Sequence, residues 1–226
     1  MAKKKTKNKP NFNDILRELQ SKTSNEDNLE TRGERYYFLI VSEGEKTEPN
    51  YFKDLARQLP EKLVKVETEG VGMDPENVVE AAIQFRKERK KEKPLPEFDE
   101  VWAVFDKDDF PDKNFNAAIE KGKQKQIETA YSNEAFELWY VLHFQYLDTA
   151  VNRQQYIEIL KKQLGTYEKN DPLMYTKLQQ NEKSNEALAI KWADDLYHKL
   201  NDGNPAKDKP ITKVYQLVKR LNEFKT

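Results

Sequence analysis

In the segment FLIVSEGEKTEPNYF, residues 38–52, three carboxylates fall within six residues directly after an apolar run: Glu43, Glu45 and Glu48. A second acidic cluster, Asp106, Lys107, Asp108 and Asp109, follows the apolar run VWAVF at 101–105. A turn from strand to helix is normally an anion site that favours glycines and a lysine. Both turns carry mainly the opposite charge. Clustered carboxylates repel one another, and each is costly to desolvate unless it is paired or holds a metal. A hard divalent cation resolves that conflict. Mg²⁺, or Mn²⁺ in its place, takes oxygen ligands and is held by one or two protein carboxylates, several waters and substrate phosphate oxygens. Such an ion activates water and stabilises charge on a transferring phosphoryl group, with a second ion roughly 3.5 to 4 Å away if the site is binuclear. The candidate ligands are the carboxylates of the two loops, among them Glu43, Asp106, Asp108 and Asp109.

Each loop alone reads equally well as ordinary helix capping. Thr47 would be an N-cap with Glu48 complementing the dipole, and FDKDDFPD a solvated acidic turn. What favours the cation site is the occurrence of both loops at corresponding places in successive strand–helix units. Glu45 stays undecided between an outer role and plain solvation.

The elements that must position these residues follow from periodicity. YYFLIVS is an apolar run of strand length, and PNYFKDLARQL spaces Phe52, Leu55 and Leu59 as on a helix, with Pro49 in its first turn. LVKVETEG (63–70) reads as a more polar strand. The helix after it starts at Asp74 as N-cap and Pro75, with Val78, Val79, Ala82 and Ile83 as its stripe. VWAVF leads to a helix through NFNAAIEKGK, and QIETAYS (126–132) to a mostly apolar helix through NEAFELWYVLHFQYL. Four strand–helix units imply an α/β fold, with a mainly parallel central sheet and helices on both faces. Ligands of such sheets bind beyond the carboxyl ends of the strands, near a topological switch point. If the strands ending at Ser42 and Phe105 are neighbours, Glu43 and Asp106 converge there. Three further helical stripes, Tyr156/Leu160/Leu164, Ala189/Trp192/Ala193/Leu196/Leu200 and Val214/Leu217/Val218/Leu221, make residues 149–226 a C-terminal helical extension packed on the 34–148 core. Residues 1–33, with five lysines in the first nine positions, read as a mobile basic and polar leader containing a short helix at NFNDILRELQ.

Composition removes several classes. No cysteine and only two histidines, His143 and His198, exclude disulfides and thiolate sites and disfavour a histidine zinc centre. A net charge of −1 gives no global basic footprint, so nucleic-acid binding must rest on local patches such as RKERKKEK (86–93) and KGKQK (121–125). No apolar run approaches a membrane span and the amino terminus lacks a signal core, so a cytoplasmic protein is expected. Glu137 is a secondary candidate for the same crevice, balanced against a dipole-favoured glutamate in a first turn. Lys46 and Lys107 could grip phosphate or simply balance charge. His143, about 9 Å along the helix from Glu137 and on another side of it, is expected to be structural.

The order strand, Glu, Gly, helix, then strand, Asp-x-Asp resembles the Toprim domain of topoisomerases, primases and OLD-type nucleases. VSEGEKTEPNYF, VFDKDDF and SNEAFELWYVLHF together are similar to the RloB-like proteins, a Toprim-related family that includes a component of the AbiL abortive-infection system. The resemblance runs over about residues 35–226, with one departure: Glu134 stands where the family pattern SNPxFE has proline. It implies a Toprim-like, Rossmann-like fold with Glu43 as the Toprim glutamate, acting as ligand or as general acid or base, and Asp106 and Asp108 as the Asp-x-Asp pair. It further implies a magnesium-dependent nuclease hydrolysing DNA or RNA in anti-phage defence, beside an AAA- or ABC-type ATPase. The alternative is a non-catalytic Toprim-derived module that senses a nucleic acid or phage protein and regulates that ATPase.

Overall fold

The computed structural model describes residues 35–225. The expected leader and its short helix lie outside those residues. In chain order the elements are β1 (Tyr36–Ser42), α1 (Thr47–Ala56), β2 (Val64–Gly70), α2 (Pro75–Lys91), β3 (Glu100–Asp106), α3 (Asp112–Lys125) and β4 (Glu128–Asn133). There follow α4 (Glu137–Leu142), α5 (Arg153–Leu164), α6 (Met174–Gln180), α7 (Glu186–Leu200), β5 (Ile211–Thr212) and α8 (Val214–Asn222).

The strands form one sheet in the order β2-β1-β3-β4-β5, parallel except for β5, which runs antiparallel to β4. β1 therefore has its successor β2 on one side and β3 on the other, and the gap beyond their carboxyl ends is the topological switch point. Register fixes what lies there: Ser42 pairs with Gly70 on one side and Val104 on the other, and Asp106 pairs with Ser132.

Continuous apolar runs form the inner strands because both faces are covered. Phe38, Ile40, Trp102 and Val104 face α1 and the C-terminal helices, while Leu39, Val41, Ala103 and Phe105 face α2 and α3. β2 is polar because it is an edge strand, with only Val64 and Thr68 buried. Asp74 caps α2 as expected, its carboxylate accepting from the Asn77 N–H at 3.1 Å. Lys46, not Thr47, precedes the first helical residue of α1, with no side-chain cap.

The helix expected across NEAFELWYVLHFQYL is shorter, only Glu137–Leu142, and all six of its residues are buried. It is enclosed by the sheet, α5 and α7, and the carbonyl of His143 just beyond it accepts from the Asn185 N–H at 2.8 Å. The Asn133–Glu134 peptide bond before it is cis. No helix among the described residues is long and apolar enough to cross a membrane.

Candidate active site

At the switch point the backbone aims Glu43 across to β3. Its N–H donates to Val104 O at 2.9 Å, and its Oε2 accepts from the Asp106 N–H at 3.1 Å. Asp106, the last residue of β3, is 4% exposed, and its buried Oδ1 has no hydrogen-bond partner. Asp108 sits in the left-handed region at φ 38°, its N–H donating to Glu134 O at 3.2 Å. That turn returns its carboxylate to the side of Asp106. Glu137, at the start of α4, is buried and accepts from Tyr167 OH at 3.3 Å.

A fifth carboxylate joins them. Glu48, read from sequence as helix-start electrostatics, is buried, and its Oε2 has no partner. Its side chain folds back over Gly44, where a Cβ would come within 1.9 Å of Oε2. Glycine is needed at 44 to leave room for this carboxylate.

Sequence reasoning also missed the cation at the centre. Arg153, the first residue of α5, donates from Nη2 to Asp106 Oδ2 and from Nη1 to Asp108 Oδ2, both at 2.8 Å, and its Nε lies 3.5 Å from Glu137 Oε2. One signal was available. An arginine in a helix's first turn opposes the dipole, so something negative must hold it there. Lys169 lies 3.9 Å from Glu137, and Lys46 lines the mouth of the open cleft, whose volume is about 710 Å³.

Other expected residues fall elsewhere. Asp109 is exposed and does not line the cleft. Lys107 turns away, its Nζ donating to Phe110 O at 2.5 Å and pairing with Asp112 at 3.1 Å. Glu45 is exposed, its carboxylate beside Gly72. His143 is buried against Trp139, with Nδ1 2.9 Å from that residue's carbonyl oxygen. Three cations of the basic segments are committed to contacts within the chain, while Lys87, Lys90, Lys91, Lys93, Lys123 and Lys125 are exposed. Arg86 donates to the carbonyls of Lys125 and Gln126, Arg89 pairs with Glu67, and Lys121 pairs with Glu80.

The electrostatics follow from five carboxylates sharing a buried site with one guanidinium and one ammonium. Burial pushes the Glu43 carboxyl up to about 7, opposed by the Asp106 N–H and reinforced by Glu48 and Asp108. Burial likewise pushes Glu48 up to about 7, against its own backbone N–H, with Glu137 adding to the rise. Asp106 is held well above the usual carboxylate range by burial, then by Glu48 and Glu43. For Arg153, burial acts to lower the pKa, and Asp106, Glu137 and Asp108 outweigh it. The guanidinium stays charged.

Among the described residues, no three or more Asp, Glu or His side chains are already arranged to hold a metal ion. Arg153 lies between Asp106 and Asp108 instead. The donor set itself is entirely oxygen, with an excess of negative charge and two buried carboxylate oxygens lacking partners. It fits the requirements of a hard divalent cation.

A protein-family model for RloB-like proteins matches residues 38–221, a span that contains every residue of this cluster. No curated protein and no solved structure matches the chain.

Proposed function

The chain belongs to the RloB-like family, and from that premise we propose that it is a divalent-metal-dependent nuclease, cleaving phosphodiester bonds of DNA or RNA. The observation that carries this reading is the carboxylate cluster at the switch point, with Asp106 Oδ1 and Glu48 Oε2 buried and unpartnered. Such groups are retained against their desolvation cost when they hold something in the working state. Glu43, Asp106 and Asp108 would hold Mg²⁺ or Mn²⁺, which when bound supplies Lewis-acid activation of water and neutralisation of phosphoryl charge.

The protein's own groups do the rest. In the alternative role, with Asp106 and Asp108 holding the ion, Glu43 would accept or return a proton at the attacking or leaving oxygen, a task that favours a pKa near the working pH and that suits a carboxyl brought to about 7 in the metal-free chain. Lys46 and Lys169 at the cleft offer ammonium groups to the phosphates of an approaching strand. The Toprim resemblance supports the same assignment and extends it to a cytoplasmic role in phage defence beside an ATPase.

Purified protein is incubated with labelled DNA and with total RNA, with Mg²⁺ or Mn²⁺, alone and with any AAA- or ABC-type ATPase that the neighbouring gene proves to encode. Metal-dependent cleavage is expected, and cleavage that survives the double change Asp106→Ala with Asp108→Ala refutes the site. A second reading, a non-catalytic sensing module regulating the ATPase, draws on the Arg153 bridge, which already neutralises part of the cluster without a metal. It predicts nucleic-acid binding without turnover and retained biological activity in the carboxylate variants.

A further inference from the structure

We propose that Arg153 is an exchangeable internal cation: it bridges Asp106 and Asp108 in the metal-free protein, yields that place to an entering divalent ion, and then meets the phosphate of the substrate strand. The proposal rests on the divalent-metal reading of the site and adds to it a residue supplied by the C-terminal extension.

Geometry separates Arg153 from Arg89 and Arg220, two arginines held by aromatic rings as well as by ion pairs. Arg89 lies over the Phe98 ring at 4.3 Å, and Arg220 packs over Tyr36 at 5.0 Å and Phe224 at 5.2 Å while pairing with Glu100. Their planes are clamped by aromatic faces. Arg153 makes no such ring contact among the described residues, and its three ion-pair partners are all cleft carboxylates. Its side chain is 28% exposed and that of Asp108 32%, while those of Asp106 and Glu137 are 5% and 2% exposed, so Arg153 and Asp108 form the solvent side of the cluster. A long side chain placed this way can withdraw without any backbone movement.

The start of α5 does not depend on the bridge. Asn152 closes a capping box with Gln155, and Tyr156 and Leu160 anchor the helix in the core. An ion held by Asp106 and Asp108 would share these two carboxylates with Arg153, and even at the free Asp106 Oδ1 it would stand beside the guanidinium, so the two like charges oppose one another there. The displaced guanidinium would stand at the cleft mouth, near Lys46 and Lys169, where a planar fork suits a phosphate.

The test uses the full chain, wild type and Arg153→Gln. Mn²⁺ binding is measured by calorimetric titration, and binding of a phosphorothioate-protected oligonucleotide by fluorescence anisotropy in saturating Mn²⁺. Loss of the competing guanidinium should tighten Mn²⁺ binding by about tenfold or more, because each charge-assisted bond forfeited by the competitor is worth roughly that factor. Oligonucleotide binding should weaken by about tenfold. These opposite signs are what a purely structural arginine would not produce. Changes in the same direction, or none in either, overturn the proposal while leaving the metal site standing. No Mn²⁺ bound by either protein overturns the metal reading itself. Should Arg153→Gln fail to fold, Arg153→Lys keeps a charge but loses the fork, and the same two opposed shifts, smaller in size, are required of it.

Discussion

Replacing Glu43 with glutamine should stabilise the metal-free protein strongly at pH 8 and by less than about 1 kcal/mol at pH 5. The carboxyl is raised from 4.5 to about 7 in the folded chain, mainly by burial. The native state thus keeps a proton that the unfolded chain releases. The associated stability is fully present below pH 4.5 and is lost as pH rises through 7. At about 1.4 kcal/mol per pKa unit, the strain of holding Glu43 ionised approaches about 3 kcal/mol at pH 8. The change Glu43→Gln removes that strain and keeps an oxygen to accept the Asp106 N–H. The extra NH₂ group needs partners of its own, so about 3 kcal/mol is the upper end of the expected gain. Urea unfolding in EDTA at pH 5 and pH 8 measures the effect. With a slope on the order of 2 to 3 kcal/mol per molar for a chain of this size, the midpoint at pH 8 should rise by about 1 M. Cleavage should fall at the same time, the expected opposition of stability and activity at a working site. A lower midpoint at pH 8, or the same difference at both pH values, would refute the view of Glu43 as a strained functional carboxylate and make it a structural acceptor.

Two further perturbations probe the surroundings. At Gly44 an added methyl meets only the carboxylate end of the Glu48 side chain, whereas at Gly70 it meets the backbone, with Gly44 O at 2.4 Å and Glu45 Cα at 2.8 Å. Gly44→Ala should therefore weaken Mn²⁺ binding with a stability change within about 1 kcal/mol, while Gly70→Ala should cost about 1 to 3 kcal/mol in urea unfolding. His143 is pushed down to about 4 by burial, so its contribution is present above pH 6.5 and is lost as pH falls towards 4. His143→Gln should flatten a dependence of up to about 3 kcal/mol, measured by unfolding at pH 7 and pH 4.

The convergence of Glu43 and Asp106 was legible because each directly follows an apolar run of strand length and the parallel sheet pairs those runs in register. Glu137 was legible as a possibility for the same reason. Glu48 was not. A glutamate in a first turn has an ordinary explanation in the helix dipole, and only the absence of a side chain at Gly44 allows it to fold back into the cluster. Arg153 is 47 residues from Asp106 in the chain, and no local pattern links a helix start to a distant strand end. The two-residue β5 and the seven-residue α6 were missed because periodicity needs a longer window. The over-long α4 arose because a helix buried on every side has no polar stripe to mark its end.

The division at residue 148 follows chain order better than it follows the site. Tyr167, Lys169 and Arg153 all come from beyond it, and each reaches Glu137. Asn50 and Asp54 of α1 bind back to the same region, through Asn170 O at 2.9 Å and the Thr176 N–H at 2.7 Å. β5 extends the sheet itself. The extension therefore supplies the countercharges of the carboxylate cluster, Arg153 and Lys169, together with the Tyr167 hydroxyl on Glu137. Packing and countercharge rest on different residues: Tyr156, Leu160, Tyr175 and Leu178 hold the extension by apolar packing, whereas the ion pairs of Arg153 are with carboxylates alone. The proposed exchange of Arg153 for a divalent ion would therefore need only a side-chain movement, because the apolar contacts that keep the helices in place, and with them the burial of Asp106 and Glu137, do not involve Arg153.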